Sequence, residues 1–121
     1  MTSAAASAAA SVAPQLSLLT LPLDNEQQCL DLTALMRALA AYELNDILLE
    51  AGATLSGAML NAGLIDELLI YMAPKLMGNN GRGLFDLPGL SNMAQCVEID
   101  ISDIRAIGRD WRITARIAPR A

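Results

Sequence analysis

Histidine does not occur among the 121 residues of this sequence. Because the chain has no imidazole group, it cannot contain a Ser-His-Asp triad, the H-x-E motif of zinc deaminases or any other zinc site that needs a histidine ligand. Any acid–base chemistry must therefore use carboxylates, Lys75, the tyrosines or the ligand itself. We predict no metal site, and the composition assigns no catalytic residue.

Clusters of positive charge and long apolar runs are also missing. The chain has 8 Lys and Arg residues against 13 Asp and Glu residues, which gives a net charge of −5. Because no basic cluster is visible, nucleic acid and anionic membranes are poor candidates as partners. No apolar run approaches the roughly 20 residues that a bilayer-spanning helix needs. We therefore expect neither a nucleic-acid partner nor a membrane.

Cysteine is scarce as well. Cys29 and Cys96 lie far apart, and neither belongs to a C-x-x-C pair, so a disulfide framework is not expected. Two reduced, structural thiols are typical of a cytoplasmic protein. Residues 1–13 are almost all Ala and Ser, without the Lys or Arg of a signal or transit peptide. We predict a disordered tail there, with the remnant of an ancestral helix as the alternative.

The rest of the chain, residues 14–121, is long and apolar enough for one core, since 54% of the sequence is hydrophobic. Two helices are predicted. The first follows a possible N-cap at Asp31, and its apolar positions recur at i, i+3, i+4 and i+7 in Leu32, Leu35, Met36 and Leu39. The second spans residues 54–62, and Gly63 suits its left-handed C-terminal position.

Short apolar segments alternate with these helices. Residues 15–21, 46–49 and 68–73 have the length and composition of buried strands, and prolines follow the first and the last. The order strand, helix, strand, helix, strand predicts two βαβ units and hence a parallel core. Two loop-forming stretches, residues 78–83 and 86–89, then separate this core from the end of the chain.

The C-terminal segment has the alternation of an antiparallel hairpin. Its apolar residues alternate with charged ones around a turn at residues 108–110; they are Val97, Ile99, Ile101, Trp111, Ile113 and Ile117. The fold class predicted from these patterns is α/β, with a mixed sheet that is parallel in the middle and antiparallel at its end.

The stretch L-L-E-A-G-A-T-L-S-G-A, residues 48–58, is the candidate ligand site. It lies where a predicted strand passes into a helix, which is where ligands bind in α/β proteins. Gly52 permits close approach of a ligand, Thr54 is a candidate helix cap, and the free amides nearby would suit a diphosphate. A tight turn with a threonine cap needs no ligand, however. Glu50 at a strand end needs a partner, either an arginine or a ligand's hydroxyl or N–H group.

The segment from Leu48 to Gly78 resembles the riboflavin-biosynthesis reductase, the C-terminal domain of a bifunctional pyrimidine deaminase–reductase. The family pattern E-A-G-x-T-L-x-G-x-x-L-x-x-G-L-(V/I)-D-E-L falls on residues 50–68, and Y-x-A-P-K-L-(L/M)-G falls on residues 71–78. R-G-L-F at 82–85, L-P-G at 87–89 and I-S-D-I-R at 101–105 extend the likeness. It covers about residues 15–117.

The resemblance implies a dihydrofolate-reductase-like fold and a reaction. Members of the family use NADPH to reduce the ribosyl group of 5-amino-6-(5-phosphoribosylamino)uracil to a ribityl chain. By resemblance, Glu50 corresponds to the substrate-binding glutamate of the family. The NADP-binding turn and helix start correspond to Gly52, Ala53, Thr54, Leu55, Ser56, Gly57 and Ala58.

Only the second half of the family's reductase domain is represented, and the deaminase domain is absent. A half sheet would leave an apolar strand edge unpaired, so we expect a homo-oligomer or a fragment of a longer gene product. Two functions therefore remain open. The chain is the cofactor-binding half of an NADPH-dependent reductase, or it is a non-catalytic remnant that acts as a self-association or interaction module.

Overall fold

The computed structural model describes residues 18–24 and 29–119. In chain order the elements are helix α1 (Leu32–Ala40), helix α2 (Ala53–Asn61), strand β1 (Glu67–Met72), a 3₁₀ turn (Met93–Gln95), strand β2 (Ile99–Ile107) and strand β3 (Asp110–Ile117). The predicted N-terminal tail, residues 1–13, lies outside the described residues, as do the first three residues of the predicted strand 15–21.

Helix α1 begins where the sequence predicts. The side chain of Asp31 accepts a hydrogen bond from the backbone N–H of Ala34 at 2.9 Å, which satisfies one of the free amides of the first turn. The helix ends at Ala40, and Glu43, three residues later, adopts a left-handed φ of 59°. No residue of α1 is buried. Its apolar stripe therefore has no packing partner that buries it within the described part of the chain.

Helix α2 begins one residue earlier than predicted, and its cap differs. Gly52 is the N-cap residue and makes no side-chain capping hydrogen bond, so the prediction that Thr54 caps the helix is wrong. Thr54 is already the second helical residue, from which its hydroxyl cannot replace an N-cap side chain. The predicted C-terminus is confirmed. Gly63 has a φ of 67°, and the N–H of Leu64 donates to the Met59 carbonyl at 3.0 Å, as in a Schellman motif.

The three strands form one sheet in the order β1-β3-β2, and both pairings are antiparallel. The predicted C-terminal hairpin is confirmed, with β2 and β3 joined by a turn at Gly108 and Arg109. Gly108 has a φ of 62°, which matches a two-residue hairpin turn with a glycine at its first central position. A β-bulge interrupts β2 between Ile101 and Asp103, and the Ser102 hydroxyl there donates to the Thr114 carbonyl at 3.2 Å.

The predicted parallel core is not formed by the described residues. Residues 46–49 have no strand structure and are exposed, and residues 18–21 are likewise not in a strand. The third predicted strand does form, as β1, but it pairs with β3 in the antiparallel sense. A strand buried on both faces requires neighbours along its edges and layers above and below, and the described part of the chain supplies none to residues 46–49.

The sheet has one apolar and one polar face. The register places on one face Leu68, Ile70, Met72, Ile99, Ile101, Ile104, Ala106, Trp111, Ile113, Ala115 and Ile117. The opposite face carries the charged residues of β3, Arg112 and Arg116, as the alternation predicts. Because the bulge adds a residue to β2, Asp103 and Arg105 share this polar face with Arg112.

The core lies at one end of the apolar face. Ala115 is completely buried, and Met59 of α2 is 6% exposed. Between α2, the sheet and the loop before β2 lies an apolar cavity of about 290 Å³, whose lining includes Leu60, Phe85 and Leu87. Within the described residues, the rest of the face is largely uncovered, at the pair Met72 and Trp111 and along β2 at Ile101 and Ile104. These four side chains are between 44% and 54% exposed.

Candidate functional site

The candidate site lies around the N-terminus of α2. Glu50 is exposed and lies in a segment without regular structure, so the interpretation that it terminates a buried strand is wrong for this chain. An exposed carboxylate needs no charged partner, because water solvates it. Glu50 is nevertheless only two residues before the N-cap Gly52 and so lies close in sequence to the start of α2.

The first-turn amides of α2 are free. Among the described residues, the N–H groups of Ala53, Thr54 and Leu55 have no protein acceptor, and the first amide to find one is that of Ser56, which donates to the Gly52 carbonyl at 3.1 Å. Around Gly52 the space is open, since an added Cβ would meet no atom within 4 Å. Free amides at the positive end of a helix dipole favour an anionic group. The arrangement therefore fits a phosphate.

The seven residues predicted to bind the cofactor do not share one environment. Thr54, Leu55 and Ala58 are exposed, whereas Ala53 and Ser56 are half-buried. The Ser56 hydroxyl lies 3.5 Å from the Ala51 carbonyl, to which it donates. A ligand approaching the helix start would therefore meet the open backbone at residues 52–55 first.

Gly57 differs from the rest of this set because it is buried. A Cβ added there would overlap the backbone carbonyl oxygen of Asp86, and it would lie 2.8 Å from the carbonyl carbon of the same residue. The Asp86 N–H in turn donates to the Ala53 carbonyl at 3.0 Å. Close packing of a loop on the helix thus accounts for this glycine without a ligand. Nothing in the local sequence indicates that residue 86 lies against residue 57.

A second polar cluster lies on the polar face of the sheet. Asp103 accepts hydrogen bonds through Oδ2 from Arg105 Nε at 2.7 Å and from Arg112 Nη2 at 3.3 Å. The hydrogen bond from Arg105, together with the weaker one from Arg112, holds the pKa of Asp103 below its usual value, and Asp103 raises the pKa of Arg105. The I-S-D-I-R motif contains two of these residues, but the pairing with Arg112 depends on the strand register.

Other candidate groups are dispersed. Cys29 and Cys96 are both unpaired and exposed, so the interpretation of them as structural thiols is not supported by burial. Within residues 18–24 and 29–119, no three His, Cys, Asp or Glu side chains come together as a metal site would require. Over the same residues, no helix is long and apolar enough to cross a membrane.

The comparison with protein families identifies the chain. The model of the RibD C-terminal domain matches residues 3–113, which is most of the sequence. The chain belongs to this family. The match begins within the segment predicted as a tail and includes both Glu50 and the start of α2.

Similar proteins carry riboflavin-biosynthesis names. The riboflavin biosynthesis protein RibD of Escherichia coli is 46% identical over 91 residues, 75% of this chain and 25% of that protein. The 5-amino-6-(5-phosphoribosylamino)uracil reductase of Buchnera aphidicola (subspecies Acyrthosiphon pisum) is 37% identical over 84 residues, 69% of this chain and 41% of that protein.

A solved structure extends the similarity to the fold. Acinetobacter baumannii RibD, form 2, matches with a TM-score of 0.70 and 36% identity over 75% of this chain and 26% of that one. The chain thus spans about a quarter of the length of the RibD proteins that it matches.

Proposed function

We propose that this chain is the second half of an NADPH-dependent 5-amino-6-(5-phosphoribosylamino)uracil reductase domain, in which it supplies the cofactor-binding turn. The observation that carries the proposal is the family match over residues 3–113, together with the reductase name of the Buchnera relative. A complete domain of the dihydrofolate-reductase-like type would add strands beside β1 and cover residues 46–49. In that domain, residues 14–121 form the C-terminal half, and the protein acts on a small molecule in the cytoplasm.

We assign each residue a role that its position supports. The free amides of residues 53–55 bind a phosphate of NADPH, since the space around Gly52 leaves that end of α2 open. NADPH supplies the hydride for the reduction. Glu50 accepts hydrogen bonds from polar groups of the pyrimidine ribosylamine substrate, which its exposed position allows. Residues 56–58 complete the cofactor site by holding the helix start in place.

Titration of the purified chain with NADPH, followed by nucleotide fluorescence, tests this proposal. Gly52→Asp places a negative charge beside the phosphate, and we expect binding to weaken by about tenfold or more. Gly52→Ala is the matched control, because its Cβ enters open space at a φ of −73° that alanine adopts freely. Equal affinity of the wild type and the aspartate variant would show that the phosphate lies elsewhere.

The alternative function, a self-association or interaction module, is favoured by one specific observation. The uncovered part of the apolar face exposes Met72, Ile101, Ile104 and Trp111, which come from all three strands. Clustered apolar side chains of this kind are typical of contact surfaces rather than of free solvent-facing sheets. A second copy of the chain, making a homodimer or larger homo-oligomer, would cover them, and this association is compatible with the reductase proposal.

A further inference from the structure

The loop segment 85–87, here named the strap, crosses the first turns of α2. Its centre is tied to the helix by the hydrogen bond from the Asp86 N–H to the Ala53 carbonyl at 3.0 Å. Its two ends, Phe85 and Leu87, are half-buried and line the apolar cavity together with Leu60. The strap is therefore held by apolar contacts at both ends and by a backbone hydrogen bond between them.

Gly57 makes the strap possible. An added Cβ at this position would overlap the Asp86 carbonyl oxygen and lie 3.0 Å from the Asp86 nitrogen. These are backbone atoms, so no side-chain rotation relieves the overlap. Ala53, Gly57 and Leu60 recur at i, i+4 and i+7, which places them along one side of the helix. Gly57 therefore belongs to the side of α2 that faces the strap.

The ligand-facing part of α2 stays open beside the strap. Thr54, Leu55 and Ala58 are exposed, and no described residue accepts from the amides of residues 53–55. The strap thus restrains the start of the helix through Ala53 and Gly57 without occupying the anion site. A site whose donors are already oriented binds more tightly, because less ordering is needed when the ligand arrives.

We propose that Gly57 is a positioning residue: it makes no contact with NADPH but lets the strap fix the first turn of α2, so that the free amides keep the orientation a phosphate requires. The inference rests on the proposed function of α2 as the cofactor-binding helix. Gly57, predicted to bind the cofactor, thus supports the helix start and does not contact the cofactor.

Gly57→Ala in the full chain tests the inference. Alanine favours a helix more than glycine does, so without the strap this substitution would stabilise α2. With the strap, we expect the Asp86 amide to lose hydrogen-exchange protection and NADPH affinity to fall by about tenfold. Gly83→Ala is the matched control in the same loop, where an added Cβ lies 3.6 Å from the Phe85 carbonyl oxygen in ordinary contact.

Leu87→Ala provides a second variant that leaves the helix sequence intact. It removes one apolar anchor of the strap, and we expect the same loss of Asp86 protection and the same direction of change in NADPH affinity. If Gly57→Ala unfolds the chain, this variant carries the test alone.

The outcomes separate the inference from the proposed function. A wild-type chain that does not bind NADPH contradicts the proposed function. A wild type that binds, with Gly57→Ala or Leu87→Ala binding equally well, overturns the positioning role. Weakened binding with the Asp86 amide still protected also overturns it, because Gly57 would then contact the cofactor directly.

Discussion

Glu50, the proposed substrate-binding residue, is exposed and is not held by the rest of the described chain. No described residue forms a hydrogen bond or ion pair with it, so its carboxylate is available to a ligand. A group in this condition contributes little to folding stability. Its effect should therefore appear in substrate kinetics and hardly at all in the unfolding of the chain.

Glu50→Gln is best measured in a chimera in which this chain replaces the matching segment of the Escherichia coli relative. We expect kcat/KM for the pyrimidine substrate to fall by about tenfold, since hydrogen bonds to a charged group are stronger than neutral ones. NADPH affinity should stay the same. Glu67→Gln, an exposed carboxylate at the start of β1, is the control. An unchanged kcat/KM would leave Glu50 without a substrate role.

Asp103 makes a pH-dependent contribution to stability. Its pKa in the folded chain lies below the ordinary value of 3.8, chiefly because Arg105 donates a hydrogen bond to the carboxylate. A carboxylate with a depressed pKa stabilises the fold above its unfolded pKa, and this stabilisation is lost as the pH falls through the folded pKa. Asp103→Asn should therefore lower the Tm at pH 7, and the difference from wild type should close below about pH 3.8.

Thermal unfolding at several pH values, monitored by circular dichroism, checks this expectation. Asp100→Asn is the control, because Asp100 lies on the same face of β2 but forms no ion pair within the described residues. If the difference in Tm between Asp103→Asn and wild type stays constant from pH 7 down to the lowest pH measured, the lower Tm results from packing and not from charge.

At the scale of elements, the β2–β3 hairpin depends on the backbone of its turn. Gly108 has a φ of 62°, a left-handed conformation that residues with a Cβ adopt at a cost of about 1–2 kcal/mol. Gly108→Ala should destabilise the chain by about that amount in urea unfolding. Gly81→Ala is the matched control, because Gly81 has no positive φ and an added Cβ meets nothing nearer than 3.8 Å. Equal midpoints for the two variants would contradict a strained turn.

Elements with local signals were predictable from the sequence. The cap at Asp31, the left-handed Gly63 and the turn at Gly108 each depend on a few neighbouring residues, and the structure confirms all three. Residues 46–49 have the composition of a buried strand, but composition cannot show whether neighbouring strands are present. The contact between Gly57 and Asp86 was also beyond prediction, because it joins two segments that have no shared pattern.

For the candidate site too, some features could be predicted from the sequence and others could not. The family pattern located residues 50–58, and the open helix start agrees with an anion site. The sequence did not reveal that Gly52, not Thr54, is the N-cap or that Gly57 is buried, since both depend on where the backbone lies. The sequence thus indicated which segment to consider, whereas the backbone environment of each of its residues became visible only in the structure.

At the scale of the whole molecule, we expect the apolar face to drive self-association. Its exposed part includes Trp111, which is 44% exposed, and Ile104, which is 54% exposed. Burial of apolar surface is worth roughly 25 cal/mol per Å² and drives association. The net charge of −5 opposes it weakly, because screening at physiological salt acts over about 8 Å. We expect a dimer or a larger species with Trp111 near the contact.

Light scattering over a concentration series measures this association. Ile104→Asp places a charge within the apolar face and should shift the chain towards the monomer. Tyr71→Asp is the control, since Tyr71 is 61% exposed on the opposite face of the sheet. A wild-type monomer that persists at high micromolar concentration, with cooperative unfolding, would contradict self-association.

The bulge in β2 shifts by one residue the alternation of side chains between the two faces of the sheet. Ile99 and Ile101 occupy the apolar face before it and Ile104 after it, and without Ser102 the alternation would run unbroken from one set to the next. The extra residue makes β2 longer than the stretch of β3 opposite it, so the outer edge of β2 bends. A bent edge offers an incoming strand only short, separate stretches of backbone. Any copy that extends the sheet should therefore add to β1, and association of that kind should slow hydrogen exchange along β1 more than along β2.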